Sequence, residues 1–303
     1  MAWKRVLAKM FITGRPAISK KDRVFAALEG KVLDRPPCGE IAFPGKSNDS
    51  ALLEHFIYTL NTDLITFTVD PYNSGFSISF ENPSDIKNLA KNTDCFLLGG
   101  IPGVFWQAIS EMGLETAARM SKKSPLEFRN YMRSLGKRHL EIVLELLEKG
   151  ADGIMIFDDL AGSKGLFFSP VSYRELVFPE LSKLVFEIKS RGKPVFFHSD
   201  GHITGFLQDL ISMGIDAIHG FEGKTPDEIK DIKEIMADRA AFMGNITLSY
   251  NQGEEEAVFD AIKKIQHIFT GGRYIFSSDG SCFPDTINNL IQIYSYFHSF
   301  WEE

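Results

Sequence analysis

Short apolar runs, each followed at once by polar residues, recur through the second half of the chain. The runs cover residues 154–157, 194–197, 216–218, 241–243 and 274–276. The polar residues that follow them include Asp158, His198, His219, Asn245 and Asp279. Runs of this length that alternate with helical stretches are typical of βα units around a parallel sheet. When such a sheet closes into a barrel, the loops after its strands build the active site. The pattern therefore predicts an enzyme whose polar side chains meet at one barrel mouth.

The first half of the chain supplies the remaining strands and the helices between them. Strands are predicted near residues 38–42, 64–69 and 95–98, and helices near 50–60, 104–120 and 125–149. Ser19-Lys20-Lys21-Asp22 resembles a capping box that starts another helix. Eight strands, nearly all followed by a helix, predict an α/β fold, a (β/α)8 TIM barrel. A doubly wound open sheet is the alternative, but no G-x-G-x-x-G follows the first strand.

The domain organisation is predicted to be one barrel with a short N-terminal extension. Apolar residues from Trp3 to Phe11 share one helical face, so residues 1–20 are expected to form an amphipathic helix. This helix is interpreted as a cover for the barrel floor or as a subunit contact, which leaves a homodimer open. A targeting or membrane-surface role is the alternative interpretation. Residues 21–303 are assigned to the barrel, because no low-complexity linker divides them.

Composition narrows the class of protein. The net charge of −7 argues against general nucleic-acid binding, which needs a basic face. No apolar stretch approaches the roughly 20 residues that span a bilayer, so no membrane partner is expected. Three cysteines, Cys38, Cys95 and Cys282, cannot form a paired disulfide framework. A reducing compartment, by default the cytoplasm, is therefore the expected location.

His198 and Asp200 are the first candidates for chemistry. At a strand end, side chains two residues apart point to the same side, so both can face the mouth and bind one metal ion. A catalytic zinc site needs three protein ligands and one open position. Cys282 or Asp279, after the last strand, is the expected third ligand. The alternative is that His198 hydrogen-bonds a neighbouring acid and no ion is bound.

Further polar residues at the strand ends are candidate catalytic or binding groups. Of Asp158 and Asp159, one carboxylate is expected to face the pocket while the other caps a loop or pairs with a basic residue, because an unpaired buried carboxylate is costly. Glu222 is a candidate catalytic acid, while His219 is interpreted as an ordinary buried histidine with catalysis as the alternative. The candidate substrate-binding residues are Glu40, Phe43, Trp106, Phe167, Asn245 and Asp279. Aromatic walls with a few polar anchors are usual for a small-molecule pocket, and they favour a planar substrate.

Several segments resemble, in order, those of the uroporphyrinogen decarboxylase superfamily, which also contains corrinoid-dependent methyltransferases. They are residues 23–30 and 34–37, Phe157-Asp158-Asp159-Leu160-Ala161-Gly162, Ser169-Pro170 with Tyr173 and Pro179, His198-Ser199-Asp200-Gly201, Gly244-Asn245-Ile246 and Gly271-Gly272. The resemblance spans nearly the whole chain and implies a (β/α)8 barrel, in agreement with the strand count.

Differences between this sequence and the motifs of the superfamily indicate which branch the chain resembles. Decarboxylases of this family carry arginines after the first strand that hold substrate propionates, whereas Ile41-Ala42-Phe43-Pro44-Gly45 has none. The thiol-methylating branch places His-x-Cys and a later Cys around zinc. Here Asp200 stands at the first Cys position, and the later one falls near Ser281-Cys282.

The resemblance therefore implies the methyltransferase components that demethylate small donors, such as phenyl methyl ethers. These pass the methyl group to the cobalt of a corrinoid protein, so the implied partners are a small methylated substrate and that protein, with zinc as a further cofactor. His198, Asp200 and Cys282 would activate the donor. The alternatives are a uroporphyrinogen decarboxylase-like enzyme, methyl transfer from a corrinoid to a thiol or folate, and a barrel that binds a ligand without catalysis.

Overall fold

Eight parallel strands form the main sheet of the computed structural model, which describes residues 18–41, 50–68, 83–162, 164–247, 255–279 and 287–302. In chain order the strands are β1 (Gly39–Ile41), β2 (Leu64–Thr68), β3 (Phe96–Pro102), β4 (Gly153–Phe157), β5 (Ala161–Gly162), β6 (Gly165–Leu166), β7 (Val195–His198), β8 (Ala217–His219), β9 (Ala241–Met243) and β10 (Tyr274–Ile275). Strands β5 and β6 form a separate antiparallel hairpin, and the other eight pair in chain order. Cys38 and Phe276 form a parallel bridge that joins the first and last strands. The predicted (β/α)8 barrel is confirmed.

Helices connect these strands along the described chain. They are α1 (Lys20–Leu28), α2 (Ser50–Leu60), α3 (Pro83–Asn92), α4 (Val104–Met112), α5 (Leu114–Lys123), α6 (Pro125–Lys149), α7 (Pro170–Ser172), α8 (Phe178–Lys189), α9 (Leu207–Met213), α10 (Pro226–Met236), α11 (Glu255–Ile268) and α12 (Ile287–Glu302). A π-helical turn, Tyr173–Val177, joins α7 to α8, and a 3-10 turn, Thr204–Phe206, precedes α9. Within the described residues, no helix is long and apolar enough to cross a bilayer.

Alternation along the strands separates the barrel interior from the layer under the helices. In β4, Met155 and Phe157 belong to the interior cluster, whereas Ile154 and Ile156 belong to the outer cluster. Successive strand side chains point to opposite faces, so every second residue enters the barrel. The same alternation carries into the loop after each strand, and it decides which polar side chains reach the mouth.

Helix α1 closes the N-terminal end of the barrel. Its Val24 and Ala27 are buried in the interior cluster, and the Phe25 ring packs edge-on against Phe96 at 5.3 Å. Ser19 caps the helix by accepting a hydrogen bond from the Asp22 backbone N–H at 3.2 Å. Among the described residues, α1 thus covers this end and leaves the C-terminal ends of the strands as the end of the barrel that a substrate could reach.

Local structure differs from the sequence-based expectation at three places. The predicted helix 104–120 is divided into α4 and α5 at Gly113, whose φ of +81° does not fit a helix. Strand β3 continues through Gly99 to Pro102, because a glycine there leaves room for Leu146 and Ala151 of the outer layer. The loop predicted after β4 contains the β5–β6 hairpin. The expected N-terminal helix, apart from its last residues, lies outside the described residues.

The two described cysteines are core thiols. Cys38 and Cys95 are both free and fully buried. Burial raises the pKa of Cys95 to about 12 and the pKa of Cys38 well above its usual value. The reactive thiolate form is therefore disfavoured at both positions.

Candidate active site

Three ligand-type side chains meet at the C-terminal ends of β4 and β7. His198 Nε2 lies 3.9 Å from Asp159 Oδ1 and 3.7 Å from Asp200 Oδ1. One ligand atom from each of the three residues lies within 4.8 Å of the others. Their side chains are 15% exposed at His198, 25% at Asp159 and 54% at Asp200, so the cluster opens to solvent on one side.

The strand register explains why these side chains converge. Phe196 points into the barrel, so His198, two residues later, also points inward. Asp159 follows the inward Phe157 by two residues in the same way. Strands β4 and β7 are neighbours with Phe157 opposite His198, which brings the two loops together. The Asp200 backbone N–H donates to Asp159 Oδ1 at 2.8 Å and fixes that carboxylate beside the imidazole.

Asp158 points to the opposite side and caps a helix. Its carboxylate accepts hydrogen bonds from the backbone N–H groups of Phe105 at 3.3 Å and Trp106 at 2.6 Å, in the first turn of α4. The N-cap residue Gly103 has no side chain to do this, and a Cβ there would lie 2.1 Å from Asp158 Cγ. The question that the sequence left open is therefore resolved: Asp159 faces the cluster and Asp158 is the cap.

His219 lies next to His198 inside the barrel. Their Nδ1 atoms are 2.8 Å apart, and the centroids of their rings are 5.0 Å apart. His219 Nε2 lies 3.0 Å from the Ser278 carbonyl oxygen. Gly244 leaves room for this ring, because a Cβ at Gly244 would lie 3.3 Å from His219 Cδ2. His219 is buried, as the sequence suggested, but it contacts the cluster instead of an outer helix.

Burial shifts the pKa values of the two histidines and of Asp159 and Asp200 towards the neutral form. Burial lowers the pKa of His198 to about 4, and burial together with the neighbouring His198 lowers that of His219 to about 3. Burial also raises the pKa of Asp159, and burial and the Asp159 charge raise that of Asp200. Both imidazoles are therefore neutral near pH 7, which is the form that binds metal ions.

The cluster fits a divalent metal ion in number, type and spacing of ligands. Ligand atoms about 2.1 Å from one zinc ion at tetrahedral angles lie about 3.4 Å apart, so the 3.7 and 3.9 Å separations need only small side-chain rotations. One imidazole and two carboxylates leave a coordination position open towards solvent, as catalytic sites require. Asp159, instead of Asp279, lies with His198 and Asp200 in this set. Cys282, the other predicted third ligand, lies outside the described residues, as does Phe43.

Glu40 lies in the layer between the sheet and α12. It is fully buried, because the neighbouring Ile41 takes the inward position on β1. Its carboxylate accepts hydrogen bonds from the Ser278 backbone N–H (2.8 Å), the Ser278 hydroxyl (2.6 Å) and the Tyr294 hydroxyl (2.9 Å). Burial raises the pKa of Glu40 to about 7. Glu40 thus ties β1 to the chain after β10, and its side chain is not among the acids of the cluster.

The remaining predicted residues surround the mouth in different ways. Asn245, in a left-handed conformation with φ of +68°, donates from its side-chain amide to the Phe221 carbonyl at 2.8 Å and so holds the loop after β8. Glu222 in that loop is exposed, and no hydrogen bond or ion pair among the described residues links it to His198. Asp279 is half-buried and donates its backbone N–H to Ile246 at 2.8 Å.

The predicted aromatic wall is partly a packing cluster. Phe167 is half-buried and stacks on Phe105 with ring centroids 6.3 Å apart. Phe105 also packs edge-on against Phe168 and Tyr173. Trp106 is half-buried in the first turn of α4, next to the Asp158 cap. Of these aromatic residues, Phe167 and Trp106 retain exposed surface that a substrate can contact.

Two participants were not assigned from the sequence alone. Asp159 was one of an unresolved pair, because β4 is apolar on both faces and its sequence does not show which face enters the barrel. His219 was interpreted as ordinary core, because its contact with His198 depends on the pairing of β7 with β8. No sequence signal connects the two histidines, which are 21 residues apart.

Family comparison agrees with this architecture. The model of the family described as Uroporphyrinogen decarboxylase (URO-D) matches residues 85–294, more than half of the chain. The chain belongs to the URO-D family. A uroporphyrinogen decarboxylase from Chlorobium phaeobacteroides is 29% identical over 176 residues, which cover 56% of this chain and 48% of that protein. The chain thus matches about half the length of this curated relative.

Solved structures share the barrel. A methyltransferase from Methanosarcina mazei superposes with a TM-score of 0.77 at 16% identity, covering 94% of this chain and 99% of that one. A Listeria monocytogenes structure described as a vitamin-B12 independent methionine synthase gives a TM-score of 0.54 at 14% identity, covering 84% and 86%. At these identities the likeness shows a common fold.

Proposed function

We propose that this URO-D family member transfers a methyl group from a small methylated donor, such as a phenyl methyl ether, to the cobalt of a corrinoid protein. The observation that carries the proposal is the half-open cluster of His198, Asp159 and Asp200. The extensive superposition on a methyltransferase from Methanosarcina mazei supports the same class of reaction. We assign the cytoplasm as its location and a corrinoid protein as its partner.

The reaction moves a methyl group without its bonding electrons. The reduced cobalt of the partner protein supplies the electron pair of the new carbon–cobalt bond. The electron pair of the broken methyl–oxygen bond stays on the donor oxygen, which then takes up a proton. The donor oxygen is a poor leaving group, so the barrel must stabilise the charge that develops on it.

The cluster supplies this stabilisation at the mouth. His198, Asp159 and Asp200 would hold a divalent ion such as zinc, and a bound ion would polarise the donor oxygen as a Lewis acid. Asp200 is the most exposed of the three and lies on the side of the cluster that is open to solvent. Trp106 and Phe167 offer apolar surface to hold a planar donor, and α1 closes the other end of the barrel.

Decarboxylation of a tetrapyrrole is the rival activity, because the curated relative bears that name. The segment 41–45 contains no arginine to bind propionates. Arg23 and Arg35 are engaged with Asp34 and Asp63 before strands β1 and β2, at the end of the barrel opposite the cluster. The described charges near β1 therefore favour a neutral donor over a polyanionic substrate.

The test mixes the purified protein with a reduced corrinoid protein and a panel of methyl ethers and methylamines. We expect the absorbance change of methylcobalt formation with at least one donor. His198→Ala should abolish that signal, with a loss of at least about 100-fold, while the melting temperature changes little because the residue lies at the mouth. The control is His202→Ala, which removes an exposed histidine of the same loop.

Four outcomes would contradict the proposal. The first is an absence of methylcobalt across the whole panel, and the second is undiminished turnover by His198→Ala. The third is formation of coproporphyrinogen from uroporphyrinogen, which would establish the decarboxylase instead. Methyl transfer from a methylated corrinoid to a thiol, without transfer from a small donor to cobalt, would show that the reaction runs in the opposite direction.

A further inference from the structure

A second histidine stands behind the cluster, with no direct role in the reaction proposed above. His219 ends β8, is only 1% exposed, and touches His198 on the side opposite Asp159 and Asp200. We propose that His219 is a positioning residue that holds the proton of His198 on Nδ1 and thereby directs the lone pair of His198 Nε2 towards the two carboxylates. The inference rests on the proposed metal-assisted function, but the proton arrangement exists before any metal binds.

The hydrogen-bond partners of His219 and His198 determine which ring nitrogen of each histidine carries the proton. The Ser278 carbonyl oxygen can only accept, so His219 Nε2 at 3.0 Å must carry the hydrogen. A neutral imidazole has one N–H, which leaves His219 Nδ1 as an acceptor. His198 Nδ1, at 2.8 Å from that atom, must then be the donor. The remaining nitrogen, His198 Nε2, is unprotonated and faces Asp159 and Asp200.

These hydrogen bonds form a relay from His198 through His219 to the Ser278 carbonyl. Ser278, the last residue of this relay, is itself held in place. Ser278 donates both its backbone N–H and its hydroxyl to the buried carboxylate of Glu40, which also accepts from Tyr294. Ser278 forms a parallel bridge with Ile246 as well. The acceptor for His219 is therefore fixed by contacts with Glu40 of β1, which is itself bonded to α12, and with the segment after β9. A rigid acceptor imposes one direction on the two following hydrogen bonds.

The position of the proton on His198 matters because the nitrogen atom that binds a metal ion must have a free lone pair. If the proton of His198 lay on Nε2, its N–H would point at the ion position and would have to move before binding. Residues that orient a ligating histidine in this way typically change metal affinity 10- to 100-fold when they are replaced. Histidine ligands usually donate to a carboxylate or carbonyl, whereas here a second imidazole stands between the ligand and the carbonyl.

Nitrogen-15 NMR of the metal-free protein tests the arrangement directly. The imidazole signals of His198 are identified by their loss in His198→Gln, since the chain has seven histidines. We expect a proton-bearing Nδ1 and an unprotonated Nε2 at His198, and the reverse at His219. In His219→Leu the preference at His198 should be lost. In His219→Asn, whose side-chain oxygen can accept from His198 Nδ1, the preference should return.

Metal affinity gives a second readout. Titration with Co²⁺ should show binding about 10- to 100-fold weaker in His219→Leu than in the unchanged protein. His219→Asn should recover most of the loss, which a purely space-filling role would not predict. His202→Leu serves as the matched control, because it removes an exposed histidine after β7 that contacts Lys224 instead of the cluster. Its Co²⁺ affinity should be unchanged.

The result that overturns the proposal is a proton on His198 Nε2 in the unchanged protein, or equal Co²⁺ binding by His219→Leu. Should His219→Leu fail to fold, the spectrum of the unchanged protein still decides. The expected tautomers together with a lack of methyl transfer would refute only the proposed function. The opposite tautomer together with active methyl transfer would refute only the relay.

Discussion

At the scale of single residues, two adjacent carboxylates differ in environment by one step of strand alternation. Asp159 follows the inward side and joins His198, whereas Asp158 follows the outward side and meets the N-terminus of α4. A carboxylate at a helix N-terminus satisfies backbone N–H groups and interacts favourably with the helix dipole. Burial opposes this by raising the pKa of Asp158 to about 7. Asp158 is thus a structural cap, whereas Asp159 is the carboxylate of the pair that we propose to take part in the chemistry.

Replacing each carboxylate by alanine should separate these roles. Asp158→Ala leaves two buried backbone N–H groups without acceptors, so we expect the free energy of unfolding to fall by about 1–3 kcal/mol. Gly103→Ala should also destabilise the protein, because its Cβ would collide with Asp158. Asp159→Ala should change stability by less than about 1 kcal/mol but weaken Co²⁺ binding. Urea unfolding and metal titration measure the two effects, and equal profiles for both variants would contradict the assignment.

At the scale of elements, Glu40 stabilises the seam of the barrel, the junction where the first strand β1 meets the last strand β10. Its three hydrogen bonds connect β1 with Ser278 after β10 and with Tyr294 of α12. Among the described residues, two backbone hydrogen bonds also join the seam: Gly39 N–H donates to the Phe276 carbonyl at 2.9 Å, and Phe276 N–H donates to the Pro37 carbonyl at 2.8 Å. The buried carboxyl therefore supplements a short strand pairing with side-chain bonds.

The pH dependence of stability reports on this carboxyl. The pKa of Glu40 is raised from 4.5 to about 7 in the folded protein, so the folded state keeps its proton between these values while the unfolded state loses it. This contribution to stability is present below pH 4.5 and is lost as pH rises to about 7. Glu40→Gln removes this contribution. The difference in free energy of unfolding between the unchanged protein and Glu40→Gln should therefore change by at most about 3 kcal/mol between pH 4.5 and about 7.

The measurement is urea unfolding of both proteins at several pH values between about 4 and 8. The control is Glu145→Gln, which changes an exposed carboxyl on α6 and should leave the pH dependence as it was. Parallel curves for Glu40→Gln and the unchanged protein would show that Glu40 is ionised across the whole range. That result would contradict the prediction that the Glu40 carboxyl at the seam is protonated below about pH 7 in the folded protein.

At the scale of the whole molecule, metal binding at one end of the barrel should stabilise all of it. The three proposed ligands come from two neighbouring βα loops, which are brought together only when β4 and β7 pair. An unfolded chain lacks that arrangement, so an ion that binds the native state shifts the unfolding equilibrium. At an ion concentration 100 times Kd, the gain is about 2.7 kcal/mol.

Thermal unfolding in the presence of Zn²⁺ or Co²⁺ checks this linkage. The melting temperature should rise with ion concentration in the unchanged protein and should not rise in Asp200→Ala. Asp227→Ala provides the control, since it removes a highly exposed acid at the start of α10 and should keep the full rise. A rise of the same size in Asp200→Ala would assign the ion to another place.

The sequence by itself determined the fold and the end of the barrel where we propose that the chemistry takes place. Strand-length apolar runs with polar endings predicted the βα repeat, and His198 with Asp200 was recognisable because residues two apart share a face. Tertiary structure alone decided that Asp159 completes the cluster, that Asp158 caps α4, and that His219 connects His198 to Ser278. The reason is physical: alternation is a local property of one strand, whereas these contacts depend on which strands lie side by side and in what register.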